Sequence, residues 1–369
     1  MKIVTIIGAR PQFIKAAILS KHLMGVHEEI LVHTGQHYDA NMSDVFFKEL
    51  EIPCPKYNLG ISGESHGLMT GKMLIEIEKV LMDEKPDMVI VYGDTNSTMA
   101  GALAAVKLSI PVAHIEAGNT RGRLSNPEDI NRTVSDHVST LLFACVESAM
   151  ENLKKEGLDK NSYFVGDLMY DSFLLYSSFA RLKDRDDLLD QSGNPASIPD
   201  KYYYLTCHRQ ENAGSDKPLM EILSALEELE YPTVYPVHPR NKVRAQEIVS
   251  RLGLKKIKLL QPVGYLSSVA LMKGAKKVVT DSGGLQREAF FAGKQCVTIF
   301  DYAWWPETLK GNMNQLSSPD KREILDKLNV VPVRYSDYFP FGKGDSAVKI
   351  CEILNTYEKR SSKQSWPST

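Results

Sequence analysis

The 369-residue sequence is short of several things, and each shortage excludes a class of protein. Cysteine is sparse: Cys54, Cys145, Cys207, Cys296 and Cys351 are scattered, odd in number, and nowhere at metal-ligand spacing. They read as reduced thiols, which excludes a disulfide scaffold and a Cys-built metal site. No segment approaches the roughly 18 consecutive apolar residues of a membrane span. The first apolar run, KIVTII (2–7), is too short for a signal peptide, has no small-residue cleavage site after it, and reads as a buried strand. Charge of one sign is also lacking. A formal net charge of -2 at pH 7 argues against a broad nucleic-acid surface, which needs a basic excess. No G-x-x-x-x-G-K-[ST] lysine is present, so a nucleotide-hydrolysing P-loop is excluded. The expectation is a cytoplasmic globular protein with neither membrane nor nucleic acid as partner.

What is there is a rhythm. KIVTII (2–7), EILVHTG (29–35), MVIVYGD (88–94), VAHIE (112–116) and LLFAC (141–145) are short, Val/Ile-rich and apolar on both faces, with amphipathic helical patterns between them. Such alternation predicts a parallel sheet covered on both sides. The pattern restarts with YYYLTCH (202–208), TVYPVH (233–238), KIKLLQ (256–261), KKVVTDS (276–282) and QCVTIFD (295–301). Two successive sets predict two doubly wound, Rossmann-like α/β domains, with the boundary near 166–172. We assign 1–168 to the first and 169–344 to the second, with a C-terminal helix at 345–360 returning to the first.

In open α/β sheets, ligands bind beyond the carboxyl ends of the strands, and that rule picks out candidates. In the first half it selects Gly8-Ala9-Arg10-Pro11, His33-Thr34-Gly35-Gln36-His37, Asp94 and Glu116. If the strands bearing Asp94 and Glu116 are neighbours, the two carboxylates repel one another and raise each other's pKa. Glu128 and Asp129 open a helix at PEDINR (127–132). Helix capping also explains acids at these positions, Asp94 before Thr-Asn-Ser included.

The second half supplies His208-Arg209 at one strand end and Asp281-Ser282-Gly283-Gly284 at another. A glycine pair opening a helix leaves backbone N–H groups free for an anion. Glu288, one turn on, suits a ribose diol better than a phosphate, so the segment reads as a nucleoside diphosphate site. A tight turn followed by a surface glutamate is the plain alternative. Acids in one half and a diphosphate in the other leave two enzyme classes open: a glycosyltransferase, or proton chemistry on a nucleotide-linked sugar.

At these residues a resemblance enters. The stretches GARPQFIKAA (8–17), HTGQHYDANMSDVFF (33–47), YGDTNSTMAGALAA (92–105), AHIEAG (113–118), PEDINR (127–132), CHRQEN (207–212), HPR (238–240), PVGYL (262–266) and TDSGGLQREA (280–289) resemble the non-hydrolysing UDP-N-acetylglucosamine 2-epimerase family over nearly the whole chain. The resemblance implies a glycosyltransferase-B type fold with an interdomain active-site cleft, a homodimer, and neither metal nor dissociable cofactor. It also implies inversion at C2 of a UDP-sugar through loss of UDP to a 2-acetamidoglucal. Carried onto this sequence, it puts Asp94, Glu116, Glu128 and His208 at catalytic positions. Arg10, Lys15, Arg132, Ser282, Gly283, Gly284 and Glu288 fall at substrate-binding ones, with Glu288 on the ribose. Gln36, His37 and His238 match a second-nucleotide regulatory region, where Asp39 replaces the glutamine of some members.

Two stretches depart from the family pattern. Asn119-Thr120-Arg121-Gly122-Arg123 replaces the usual Leu-Arg-Ser, and Phe300-Asp301-Tyr302-Ala303-Trp304-Trp305-Pro306-Glu307 replaces an Arg/Thr/Glu-rich run. The second, with REAFFAGKQCVT (287–298), resembles the branch acting on UDP-2,3-diacetamido-2,3-dideoxyglucuronate. The expected function is a UDP-2-acetamido-sugar 2-epimerase serving polysaccharide synthesis. A glycosyltransferase, a hydrolysing epimerase and a non-catalytic nucleotide-sugar sensor are the alternatives.

Overall fold

In a computed structural model of the chain, which describes residues 1–36, 52–120, 126–182 and 188–361, the two apolar series form two separate parallel sheets. His37, Asp39 and Arg121–Arg123 lie outside the described residues. The chain divides into one unit of Met1–Leu174 with Phe339–Thr369, and a second of Leu175–Tyr338.

The first unit carries seven strands: β1 (Lys2–Ile7), β2 (Glu28–His33), β3 (Tyr57–Asn58), β4 (Met88–Tyr92), β5 (Val112–Ile115), β6 (Leu141–Ala144) and β7 (Ser162–Phe164). They lie in the order β3-β2-β1-β4-β5-β6-β7, every neighbour parallel. β4, β5 and β6 are buried along their whole length, as strands covered on both faces must be. The covering helices are α1 (Arg10–Leu23), α2 (His66–Glu84), α3 (Asn96–Lys107), α4 (Pro127–Val138) and α5 (Glu147–Lys155); α6 (Leu168–Ser177) leads into the second unit. Val4, Ile6, Val89, Val91, Met73, Ile77 and Ala100 pack into one apolar core between β1, β4, α2 and α3.

The second unit has β8 (Tyr203–Thr206), β9 (Thr233–Pro236), β10 (Ile257–Leu260), β11 (Val278–Thr280), β12 (Cys296–Ile299) and β13 (Asn314–Ser317), in the order β10-β9-β8-β11-β12-β13. Its helices are α7 (Gln210–Ala213), α8 (Asp216–Glu227), α9 (Lys242–Leu252), α10 (Tyr265–Gly274), α11 (Gly283–Phe291) and α12 (Lys321–Asn329). Both sheets therefore follow the 3-2-1-4-5-6 order of a doubly wound fold, the first extended by one strand. The order reverses between β1 and β4 in one unit, and between β8 and β11 in the other. Crevices open at such reversals, beyond the strands' carboxyl ends.

The last helix, α13 (Ser346–Ser361), belongs to the first unit and packs on α1. Its start is tied down by Asp171, whose carboxyl accepts from Ser346 Oγ and from the Ala347 N–H, both at 2.9 Å. Among the described residues no helix is long and apolar enough to cross a membrane.

Candidate functional site

At the first reversal, the turn after β1 is packed against the start of α3. A Cβ on Gly8 would lie 2.2 Å from Thr34 Oγ1 and 2.3 Å from Ser97 Oγ, so only glycine fits. Gln12 accepts the N–H groups of Gly8 and Ala9 and donates to the Tyr92 carbonyl, joining this turn to the one after β4. Arg10 is the first residue of α1 and half-buried.

Asp94 follows β4, and Glu116 follows the neighbouring β5. Asp94 is not a helix cap. Thr95 caps α3, accepting from the Thr98 N–H at 3.3 Å, which leaves the Asp94 carboxylate for another partner. That partner is Arg132, on α4. Its Nη2 lies 2.6 Å from Asp94 Oδ2 and 3.4 Å from Glu116 Oε1, and its Nη1 donates to the Glu116 carbonyl. Lys15, from α1, forms an ion pair with the other Glu116 oxygen. Arg132 is 1% exposed. Burial, the largest influence on it, lowers its pKa, but Asp94, Glu116 and Asp136 more than offset that and the net shift is upward. A guanidinium thus stands between the two carboxylates and is attracted to both.

The backbone here is as unusual as the charges. Glu116 has φ +68°, and the flanking Gly93 and Gly118 have +66° and +74°. A glutamate in the left-handed region costs on the order of 1–3 kcal/mol, and such strain persists only where surrounding contacts fix it.

Within α4, Pro127 opens the helix and Asn126 caps it, accepting from the Asp129 N–H at 2.7 Å. Glu128 is exposed in the first turn, where the helix dipole favours an acid. Asn131 donates to the Asp94 carbonyl at 3.0 Å, so successive residues of α4 hold the turn that bears Asp94.

The second unit repeats this design with other chemistry. His208 stands two residues beyond the end of β8, and the fully buried Asp281 directly follows β11. Asp281 accepts the backbone N–H groups of His208 and Arg209 and lies 3.1 Å from His208 Nδ1. The imidazole is 44% exposed, so it is oriented at its root and open at its edge. Next comes Ser282, the cap of α11, which accepts from the Leu285 N–H. A Cβ on Gly284 would meet only Ser282 Oγ, at 3.6 Å; one on Gly283 would press on Trp304 at 3.3 Å. Glu288, 6% exposed and one turn along α11, faces the hydroxyl of Tyr265.

These sites lie in a chain whose residues 24–355 match the family model described as UDP-N-acetylglucosamine 2-epimerase. A UDP-N-acetylglucosamine 2-epimerase homolog of Methanococcus maripaludis is 46% identical over 359 residues, covering 96% of this chain and 99% of the relative. The UDP-2,3-diacetamido-2,3-dideoxy-D-glucuronate 2-epimerase of Pseudomonas aeruginosa is 44% identical over 365 residues, covering 96% and 99%. The solved structure of Methanocaldococcus jannaschii UDP-GlcNAc 2-epimerase in complex with UDP-GlcNAc and UDP superimposes with a TM-score of 0.84 at 38% identity, over 96% of this chain and 100% of that one. This chain belongs to the UDP-N-acetylglucosamine 2-epimerase family.

Within this family member, the structure brings Asp94, Glu116, Arg132 and Lys15 together in the first unit. Lys15, expected at the substrate, is buried and pairs with Glu116. Gln36, a regulatory candidate, accepts from the N–H and hydroxyl of Ser97 at the start of α3. In the second unit His238 stacks on His208, with ring centroids 6.3 Å apart, and its Nδ1 accepts from the Arg240 N–H. Arg209 lies over Phe300, 4.3 Å from the ring centroid, and within 5.7 Å of the Trp304 centroid, so the departing aromatic run borders the glycine turn. Among the described residues no group of three or more His, Cys, Asp or Glu side chains is placed to hold a metal. Sequence reasoning missed Asp281 as the group that orients His208. The signal was present, an aspartate closing a strand, but the pairing joins residues 73 positions apart.

Proposed function

We propose that this enzyme inverts C2 of a UDP-linked 2-acetamido sugar by eliminating and re-adding UDP. In the first step the C2–H bond breaks and its proton passes to a carboxylate. The electron pair forms the C1–C2 double bond, and the C1–O bond breaks with its electrons leaving on UDP. Re-addition reverses these events, with the proton delivered to the other face of C2. The observation that carries the reading is the paired acids Asp94 and Glu116, held by one guanidinium at the carboxyl ends of adjacent strands.

Of the two, Asp94 suits the C2 base, since its side chain is 26% exposed against 8% for Glu116. Glu116 then holds Arg132 and Lys15, while Glu128 and His208 serve proton return and leaving-group charge. A positioned base contributes roughly 10²–10⁴-fold. The N–H groups of Gly283 and Gly284, with the Ser282 side chain and Arg10, stabilise the departing diphosphate, and Glu288 takes the ribose. Gln36, His37 and His238 are carried as the regulatory nucleotide positions. The same reading includes a cytoplasmic homodimer supplying activated sugars for polysaccharide, with 1–168 and helix 345–360 bearing the acids and 169–344 the UDP.

The test is product analysis by proton and phosphorus NMR, with UDP-N-acetylglucosamine and the UDP-2,3-diacetamido uronate supplied separately and no acceptor added. A C2 epimer still bearing UDP supports the proposal, and whichever sugar converts identifies the substrate. Net release of UDP points to hydrolysis. An unchanged donor that reacts only once an acceptor is added points to glycosyl transfer.

A further inference from the structure

His114 is the third residue of β5, fully buried, and both its ring nitrogens face acceptors. Nε2 lies 2.7 Å from the Gly93 carbonyl oxygen, and Nδ1 lies 2.7 Å from Asp136 Oδ1. A carbonyl can only accept, so Nε2 carries a hydrogen and donates it. The contact at Nδ1 then needs a proton shared between imidazole and carboxyl, because a lone pair facing a carboxylate would repel it. The other Asp136 oxygen accepts the Gly118 N–H at 3.0 Å.

The two backbone groups held in this way have a particular address. Gly93 immediately precedes Asp94, and Gly118 stands two residues beyond Glu116. Gly93, Glu116 and Gly118 all have positive φ, so these turns are where the backbone needs outside support. Asp136 is also one helical turn beyond Arg132 on α4. One helix therefore fixes the acids' side chains through Arg132 and their backbones through Asp136.

We propose that His114 and Asp136 are positioning residues for the epimerisation: a buried, proton-sharing clamp that sets the turns carrying Asp94 and Glu116. The inference rests on the reading that those acids perform the C2 chemistry. Neither clamp residue meets the sugar.

The test uses variants that keep one arm of the clamp at a time, in the full chain. His114→Asn keeps an N–H toward Asp136 but cannot reach Gly93; His114→Gln reaches Gly93 with its amide N–H. A misplacement near 1 Å lowers turnover about 100-fold. His114→Asn is therefore expected to lower kcat for C2–H exchange in deuterated water by about 10–100-fold, with KM for the UDP-sugar unchanged. His114→Gln is expected to recover most of that loss. Asp136→Asn, whose amide can donate to Nδ1 while its oxygen takes Gly118, is expected to outperform Asp136→Ala, and that pair decides the matter should His114→Asn fail to fold. A wild-type protein with no C2–H exchange overturns the functional reading and this inference together. A wild type that exchanges, with His114→Asn or Asp136→Ala at wild-type kcat, overturns the clamp alone. So does equal loss in His114→Asn and His114→Gln.

Discussion

Arg132 reaches Asp94 Oδ2 at 2.6 Å and Glu116 Oε1 at 3.4 Å, so one buried cation holds two strand-end carboxylates in fixed relation. The pair of strands, the helix α4 and the charge balance all converge on that side chain. Removing one partner of a buried ion pair leaves uncompensated charge, which is strongly destabilising. Arg132→Ala is expected to cost about 3–5 kcal/mol in urea unfolding and to abolish turnover. Arg132→Lys keeps the charge but loses the planar fork. It should recover part of the stability and little of the activity. A wild-type urea midpoint for Arg132→Ala would contradict this placement.

Asp281 provides a pH test in the second unit. Burial, the largest influence, pushes its carboxyl pKa up. The hydrogen bond and charge of His208, with the backbone N–H groups of Arg209 and His208, pull it below the ordinary value overall. A folded pKa below the unfolded one contributes stability that is fully present above the unfolded pKa and is lost as pH falls through the folded one. The stability gap between wild type and Asp281→Asn should therefore be widest near pH 7 and narrow below about pH 4. Urea midpoints across that range check it, and a constant gap would count against the assignment.

Two glycines should respond to alanine with opposite sign. At Gly8 the new methyl would sit on the Thr34 and Ser97 hydroxyls, and overpacking of this kind costs about 1–3 kcal/mol. Gly71 lies exposed inside α2 with nothing within 4 Å of an added Cβ. There alanine should stabilise by up to about 1 kcal/mol through helix propensity. Differential denaturation of the two variants measures both signs.

Much of this arrangement was legible in the sequence, and what escaped has a physical reason. Strands such as KIVTII and MVIVYGD announce themselves because both faces are buried, and the strand-end rule then locates Asp94, Glu116, His208 and Asp281 without a structure. β13, reading NQLS, carries no such apolar signal, because its register beside β12 decides its conformation. Asp94 looked equally like a helix cap, and only the structure shows Thr95 taking that role. Arg132 between the acids, and His114 on Asp136, join residues 38 and 22 positions apart. No local pattern of propensity or spacing encodes such pairs. They exist because the sheet order sets β4 beside β5, with α4 packed against β5.

Solvent exchange at the sugar tests the central claim most directly. Wild-type protein incubated with its UDP-sugar in deuterated water is expected to place deuterium at C2 while UDP remains attached, and Asp94→Asn is expected to leave that hydrogen in place. Protium retained at C2 throughout epimer formation, or deuterium entering at the wild-type rate in Asp94→Asn, would contradict the account.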